Sequence, residues 1–534
     1  MCSYMHSSDA LNNPAGSRRA GPEASSVSFV DFANPGLDTK APIAGAEAKN
    51  LRREIPDMSS LLVMTSQLAS LLPFANHRAR EPGGVTGPRC CTRLRPLVLR
   101  WSNMTNRRKF FQSICAPAAV SAFPTIVKAS ALGLNGAVAP SNRVVMATIG
   151  CGNMGNGHLG SFLKLPEVQV VALCDLDEEH LLKAKDRVDK QYRNKDCMTY
   201  RAFEEVQSRR DIDAVSMAVP DHWHGVVAFS ALRAGKDVYG EKPLAHNFAE
   251  GRDIVEAVAR YKRIWQSGSW QRSKPQFHQA CELVRNGRIG KVHRVEVGLP
   301  SGHGKKTAST AFVDPPATFL YDRWLGPGPE VPYCEARTHW NWRWNLAFGG
   351  GQLMDWVGHH NDIAHWGLGL DDTGPYEVEG KGEYPPSTEV WNSATKFYIT
   401  SKYAGDITIV IAGGYPEIRS GTKWIGDGGW IWVDRSGIQS EPANLLTSEI
   451  QPGEIHLTKS DDHYKQFIQC VKSREETITP AHVSIRSVTP GWLGQIAMLT
   501  GRKIQWDPKE QRILDDPEAA KMLSRDMRMP WRLV

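Results

Sequence analysis

The densest run of chemically able side chains is Gly349-Gly-Gly-Gln-Leu-Met-Asp355-Trp-Val-Gly-His359-His360-Asn-Asp362-Ile-Ala-His365-Trp366. On a helix that begins after the glycines, Asp355, His359 and Asp362 fall at i, i+4 and i+7 and share one face. A carboxylate one turn from an imidazole can hold the ring's tautomer and raise its basicity. That suits a proton acceptor for an alcohol that loses hydride. A helical neighbour lies about 100° away, so His360 need not share the site, and it reads with His365 as a packed or surface histidine. Asp355, His359 and His365 lack the H-E-x-x-H order of a metal helix, and no metal is expected from them.

Lys242 lies in Val238-Tyr-Gly-Glu-Lys-Pro-Leu244, at the carboxyl end of an apolar run. Pro243 fixes its own φ and biases Lys242 toward an extended backbone, which gives the ammonium a defined direction. Trp340, Trp342 and Trp344 alternate ahead of the histidine run. Indole faces stack on sugars but also fill cores, and both readings stand. Gln271 and Arg272 read either as cofactor or substrate contacts or as surface pairing. Asp221, His222 and His224 read as caps and nucleotide contacts, not as metal ligands.

The elements that must position these groups start at Val144. The run VVMATIGCGNMG reads as a buried strand, a glycine turn and a helix start, with Gly150, Gly152 and Gly155 in the G-x-G-x-x-G spacing. In that spacing the first glycine turns, the second admits a pyrophosphate and the third lets helix and strand close up, while the helix N-terminus offers unpaired N–H groups. Val168–Cys174 is a near-continuous apolar strand that ends in Asp175, 20 residues after Gly155. That distance suits a carboxylate on a ribose 2′-hydroxyl, and a helix N-cap is the alternative. Helices over 153–165, 178–192, 203–209, 224–234 and 247–262 alternate with strands over 214–219, from 238 and over 264–267. The alternation predicts a doubly wound parallel sheet with ligands at the strands' carboxyl ends. Beyond it the alternation weakens, and strands over 291–298, 396–399, 407–411 and 430–433 predict an α+β part with a mostly antiparallel open sheet.

The 534-residue chain is too long for one core. It is 41% apolar and 23% charged, ordinary for a globular protein, and its formal charge of +7 comes with no basic recognition helix, so no nucleic-acid partner is expected. Ten cysteines without C-x-x-C pairs argue against structural zinc and a disulfide framework. Cys151 and Cys174 read as small apolar residues. No run has the length of a membrane span. Residues 1–103 lack periodicity and read as disordered or untranslated. Arg107 and Arg108 before Phe110, a modestly apolar stretch from Ser113 to Val127, and Ala129-Ser130-Ala131 together resemble a twin-arginine export signal, with translation starting at Met104 and residues 104–137 as signal and linker. A periplasmic or other extracytoplasmic location follows.

IGCGNMG at 149–155, CDLD at 174–177 and AGKDVYGEKPLA at 234–245 resemble the Gfo/Idh/MocA family of NAD(P)-dependent oxidoreductases, over about residues 143–534. The resemblance implies a Rossmann domain over 138–262 and a C-terminal substrate and oligomerisation domain over 263–534, with homo-oligomers formed through its sheet. NAD is the implied cofactor, with NADP as the alternative. The implied cofactor contacts are Gly150, Gly152, Asn153, Met154, Gly155, Asp175, Pro220, His224, Glu241 and Lys242. The D-x-x-x-H-x-x-D match implies Lys242, Asp355 and His359 as catalytic residues, with Arg272, Trp344 and Asp362 at the substrate. The expected activity is hydride transfer at a secondary hydroxyl of a sugar, sugar derivative or cyclitol. A glycoside-cleaving enzyme that oxidises its substrate transiently with tightly held NAD, and a non-catalytic sugar or cofactor sensor, are the alternatives.

Overall fold

The computed structural model describes residues 138–304 and 306–531. The expected disordered segment, export signal and cleavage site lie outside the described residues. Among the described residues no helix is long and apolar enough to cross a membrane.

The first sheet is wholly parallel. It is built from β1 (Val144–Ile149), α1 (Asn153–Phe162), β2 (Val168–Cys174), α2 (Glu178–Tyr192), β3 (Met198–Tyr200), α3 (Phe203–Ser208), β4 (Ala214–Met217), α4 (Asp221–Arg233), β5 (Asp237–Gly240), α5 (Phe248–Tyr261) and β6 (Trp265–Ser267). The strand order β3-β2-β1-β4-β5-β6 is doubly wound. The order reverses between β1 and β4, and the β1–α1 turn lies at that switch point. β6 pairs in parallel with β5, Val238 against Trp265 and Gly240 against Ser267, so the first sheet runs past the expected boundary at 262. Trp265 is 2% exposed although its three-residue strand forms the edge of the sheet.

Gly150 has φ +84, and a Cβ there would overlap the Ala218 carbonyl. A Cβ on Gly155 would overlap the carbonyl oxygen of Gly150. These two contacts are why the strand can turn and the helix start in so little space. α4 begins at Asp221, directly after Pro220, three residues ahead of the expected start.

The second part continues with α6 (Pro275–Arg285), β7 (Val292–Leu299), α7 (Tyr321–Leu325), α8 (Gly351–Leu368), β8 (Glu377–Glu383), β9 (Lys396–Tyr403), β10 (Ile407–Gly413), β11 (Gly421–Gly426), β12 (Gly429–Val433), β13 (Ile438–Glu441), α9 (His463–Ser473), α10 (Ala481–Thr500), β14 (Ile504–Asp507), β15 (Arg512–Leu514) and α11 (Pro517–Lys521). Its sheet runs β13-β12-β11-β7-β10-β9-β8-β14-β15 and is antiparallel except where β7 and β10 pair in parallel. Helices α6, α8 and α10 cover one face. α8 is buried on nearly every side, and Leu353, Val357, Ile363 and Ala364 are buried with Trp424 and Leu493 in a core that also contains Val215 and Val238 of the first sheet and Phe248 of α5. α9 returns to the first sheet, where Phe467 packs edge-on to Phe162 and Tyr239.

Candidate active site

The site lies where the carboxyl ends of β1, β4 and β5 meet α8. At the first of these, Gly152 is open: a Cβ there would touch only the His180 ring, at 3.8 Å. Asn153 and Met154 in the next turn are exposed, with Met154 44% accessible. A free glycine face ahead of the unpaired N–H groups of α1 fits the pyrophosphate of a dinucleotide.

Asp175 stands beside that turn. Its carboxylate accepts from the backbone N–H of Cys151 at 2.6 Å and of Asp177 at 2.8 Å. Burial raises its pKa against those two bonds. The alternative role of N-cap falls instead to Asp177, which accepts from the N–H groups of Glu179 and His180 at 2.8 and 3.1 Å. Asp177, His180 and His339 bring ligand atoms within 4.8 Å of one another, a set able to hold a metal ion. His180 also borders Gly152, so this set overlaps the dinucleotide groove.

At the end of β5, Lys242 is seated against α8. Its Nζ donates to the Asp355 carboxylate at 2.8 Å and to the Asp355 carbonyl at 2.6 Å, and its side chain is 9% exposed. Arg343 Nε approaches the same carboxylate at 3.4 Å. Burial would raise the Asp355 pKa, but the charges of Lys242 and Arg343 outweigh it and bring it down to about 2. Gly358 admits this docking, because a Cβ there would already lie 3.2 Å from Lys242 Cβ. The expected contact of Asp355 with His359 is not made. The two share a helix face, but the carboxylate is drawn to two cations from other segments and serves Lys242.

His359 is 6% exposed, and its Nδ1 has no hydrogen-bond partner. Burial first, then the nearby charges of Lys242 and Arg435, hold its pKa well below the ordinary histidine value. The ring is therefore neutral at pH 7 and able to accept a proton. The indoles of Trp270 and Trp356 meet it edge-on, with centroids 6.4 and 5.7 Å away.

Glu241, next to Lys242, pairs with His158 Nε2 at 2.9 Å and accepts from the Lys242 N–H at 3.2 Å. Burial raises its pKa, and the bond and charge of His158 together with the charges of Lys242 and His224 more than offset this, leaving it below the ordinary value. His224 is 1% exposed, with Nδ1 2.7 Å from the Pro243 carbonyl and Nε2 3.0 Å from that of Val219. It braces the backbone on both sides of the groove, and Pro220 starts the helix that carries it.

The expected substrate contacts are placed elsewhere. Arg272, 2% exposed, grips Asp362 (2.9 and 2.8 Å) and Asp371 (2.9 and 2.8 Å), and Asp362 is 1% exposed. The guanidinium also lies 5.2 Å over Trp366. This bidentate pair fastens the turn Trp270–Ser273 to α8 and leaves neither residue open to a sugar. Trp344 is 1% exposed in a small apolar cluster with Cys334, Ala336 and Trp391. Trp342 is buried with Trp324 and Phe348, and half-buried Trp340 is capped by Arg343 at 4.7 Å. The core reading holds for Trp342 and Trp344.

Asp221, read from the sequence only as a cap or nucleotide contact, and Trp356, which sequence reasoning missed, also border the site. Asp221 is 5% exposed, and burial, only partly offset by Lys242, raises its pKa well above the carboxylate range. Trp356, directly after Asp355, is half-buried: it packs against the core and also meets His359 edge-on.

Residues 144–269 match the GFO/IDH/MocA family model described as "Oxidoreductase family, NAD-binding Rossmann fold", and residues 267–533 match its partner, "Oxidoreductase family, C-terminal alpha/beta domain". Among curated proteins, the chain is 30% identical over 164 residues to an alpha-N-acetylgalactosaminidase of Shewanella oneidensis, covering 29% of this chain and 35% of that one. It is 24% identical over 157 residues to the uncharacterized oxidoreductase YrbE of Bacillus subtilis, covering 29% and 44%. The chain thus spans under half the length of either relative. Among solved structures, an aldose-aldose oxidoreductase from Caulobacter crescentus superposes with a TM-score of 0.51 at 18% identity, over 68% of this chain and 99% of that one, which shows a shared fold. With the two family models together matching residues 144–533, the chain belongs to the GFO/IDH/MocA oxidoreductase family and carries its NAD-binding Rossmann domain.

Proposed function

We propose that this protein oxidises or reduces a secondary hydroxyl of a sugar, sugar derivative or cyclitol. The observation that carries this reading is the pairing of Lys242 with Asp355 one helical turn before a neutral His359. NAD, when bound, supplies a nicotinamide carbon that takes or returns hydride. Gly150, Gly152, Gly155 and the first turn of α1 would hold its pyrophosphate, and Asp175 a ribose.

His359 accepts the hydroxyl proton in the oxidation direction and returns it in reduction. Lys242 donates to the reacting oxygen and stabilises its developing negative charge. Asp355 acts through Lys242: it holds the ammonium in place and balances its charge. General acid–base groups contribute about 10²–10⁴-fold, so His359→Ala lowers turnover by about that factor and leaves NAD affinity within a few-fold. Stopped-flow reduction of bound NAD with a panel of aldoses, uronates and inositols tests this. Unchanged turnover in His359→Ala refutes the base.

The similarity to the Shewanella glycosidase favours one second reading, in which the same three residues serve a transient oxidation that labilises a glycosidic bond. Here the hydride returns and no NAD is consumed. Release of a nitrophenol from a glycoside without net absorbance change at the reduced-nicotinamide band selects it, and stoichiometric NAD reduction selects the first. Arg107 and Arg108 support export by the twin-arginine route, and the open face of the second sheet supports pairing of copies.

A further inference from the structure

The hairpin between β12 and β13 carries a cation that the scheme above does not use. Asp434 shapes its tip by accepting from Ser436 N at 2.7 Å and Gly437 N at 3.2 Å, and Gln276 of α6 donates to the Arg435 carbonyl at 3.3 Å. From this tip the Arg435 guanidinium lies 4.7 Å from the Trp270 ring centre and 4.6 Å from that of Trp356, the two indoles that flank His359. Its Nε donates to Gln271 Oε1 at 3.2 Å. Gln271 is fully buried, and its amide nitrogen reaches the His359 carbonyl at 3.3 Å and His360 Nδ1 at 3.4 Å. One buried side chain thus ties the hairpin arginine to the helix that bears the proton acceptor.

Arg435 is exposed, and among the described residues no carboxylate lies within ion-pair distance of it. The nearest acid by sequence, Asp434, is spent on its own turn. The half-buried carboxylate of Asp355 is already shared by Lys242 and Arg343. Lys274 adds a further cation 5.3 Å from the Trp270 ring centre. The mouth of the site is therefore positive before any ligand arrives. A guanidinium held over two indoles, with Nε bonded to Gln271 and, among the described residues, no hydrogen-bond partner on either terminal nitrogen, is a preorganised fork for a planar or tetrahedral oxyanion.

We propose that Arg435, held by Gln271, Trp270 and Trp356, is an anion subsite that makes the substrate a sugar bearing a carboxylate or a phosphate ester. This rests on the sugar-hydroxyl reading of the same site.

Calorimetric titration of the NAD-loaded protein with glucuronate, galacturonate, glucose 6-phosphate, glucose and galactose tests it. The expected result is that at least one charged sugar binds about 10- to 100-fold more tightly than its neutral counterpart, as a charge-assisted fork predicts. The two uronates against the phosphate separate the two anions. Arg435→Gln, on an exposed turn, levels the affinities of charged and neutral sugars, and Arg435→Lys restores only part of the preference because an ammonium lacks the fork. Equal affinities in the wild type, or a preference that survives Arg435→Gln, overturns the subsite. NAD reduction is read separately. A charged-sugar preference without any hydroxyl oxidation refutes the activity and upholds the subsite, and oxidation with no preference does the reverse.

Discussion

Replacing Arg272 with Met separates a structural clamp from a substrate contact. The side chain joins two carboxylates, Asp362 and Asp371, through four hydrogen bonds of 2.8–2.9 Å, with Asp362 1% exposed. Met matches much of the volume but removes the cation that both acids share. Breaking a buried pair on one side costs about 3–5 kcal/mol, because a charge is left without a partner. The Asp371 side chain is 25% exposed and recovers some hydration, which places the loss near the lower figure, about 3 kcal/mol. At about 2 °C per kcal/mol for a large domain, the melting temperature falls by about 6 °C. Adding Asp362→Asn to Arg272→Met removes one stranded charge, so the double variant is more stable than the sum of the singles by about 1–3 kcal/mol. Urea unfolding followed by tryptophan fluorescence gives both numbers. An Arg272→Met protein with wild-type stability and only a raised KM would refute the clamp and restore the contact with substrate.

Gly155→Ala forces a methyl onto the Gly150 carbonyl oxygen and lowers NADH affinity by 10-fold or more in a fluorescence titration, on the general cost of overpacking, about 1–3 kcal/mol. Its counterpart Gly157→Ala, two residues on in α1, meets nothing within 4 Å and raises stability by about 0.5–1 kcal/mol in urea. Acid weakens the fold early. Burial holds His222 and His360 down to about 3 and His365 and His463 down to about 4, so between about pH 6.5 and 3 the unfolded chain binds more protons than the folded one. Stability is then full above about pH 6.5 and declines as pH falls, by up to about 1.4 kcal/mol per unit for each ring. The raised carboxylates of Asp221, Glu250 and Asp362 act in the opposite sense and moderate the slope. A urea midpoint that stays level from pH 7 to 5 would refute the neutral buried rings.

Much of the first sheet was legible from local pattern. β2 and α2 have the limits read from the sequence, because a two-face-buried strand is a continuous apolar run and a capped helix carries its own start signal. β8 was not legible: Glu377-Val-Glu-Gly-Lys-Gly-Glu383 is polar and glycine-rich, yet it pairs with β9 and β14. Gly380 and Gly382 are there because α10 crosses so closely that a Cβ on either would press on Met498. The reason for such a strand lies in a helix more than a hundred residues away.

The same division runs through the site. Spacing alone determined that Asp355, His359 and Asp362 share a face of one helix, that Gly150 and Gly155 shape a turn, and that Lys242 sits at a strand end. Only the tertiary structure decided the partners. Asp355 turned to Lys242 and Arg343, Asp362 to Arg272, and His359 was left between two indoles with an unpaired nitrogen. Periodicity orders side chains around one axis. A buried charge takes the opposite charge that docking brings within hydrogen-bond reach, and that choice depends on how β5, the turn Trp270–Ser273 and the β12–β13 hairpin converge on α8.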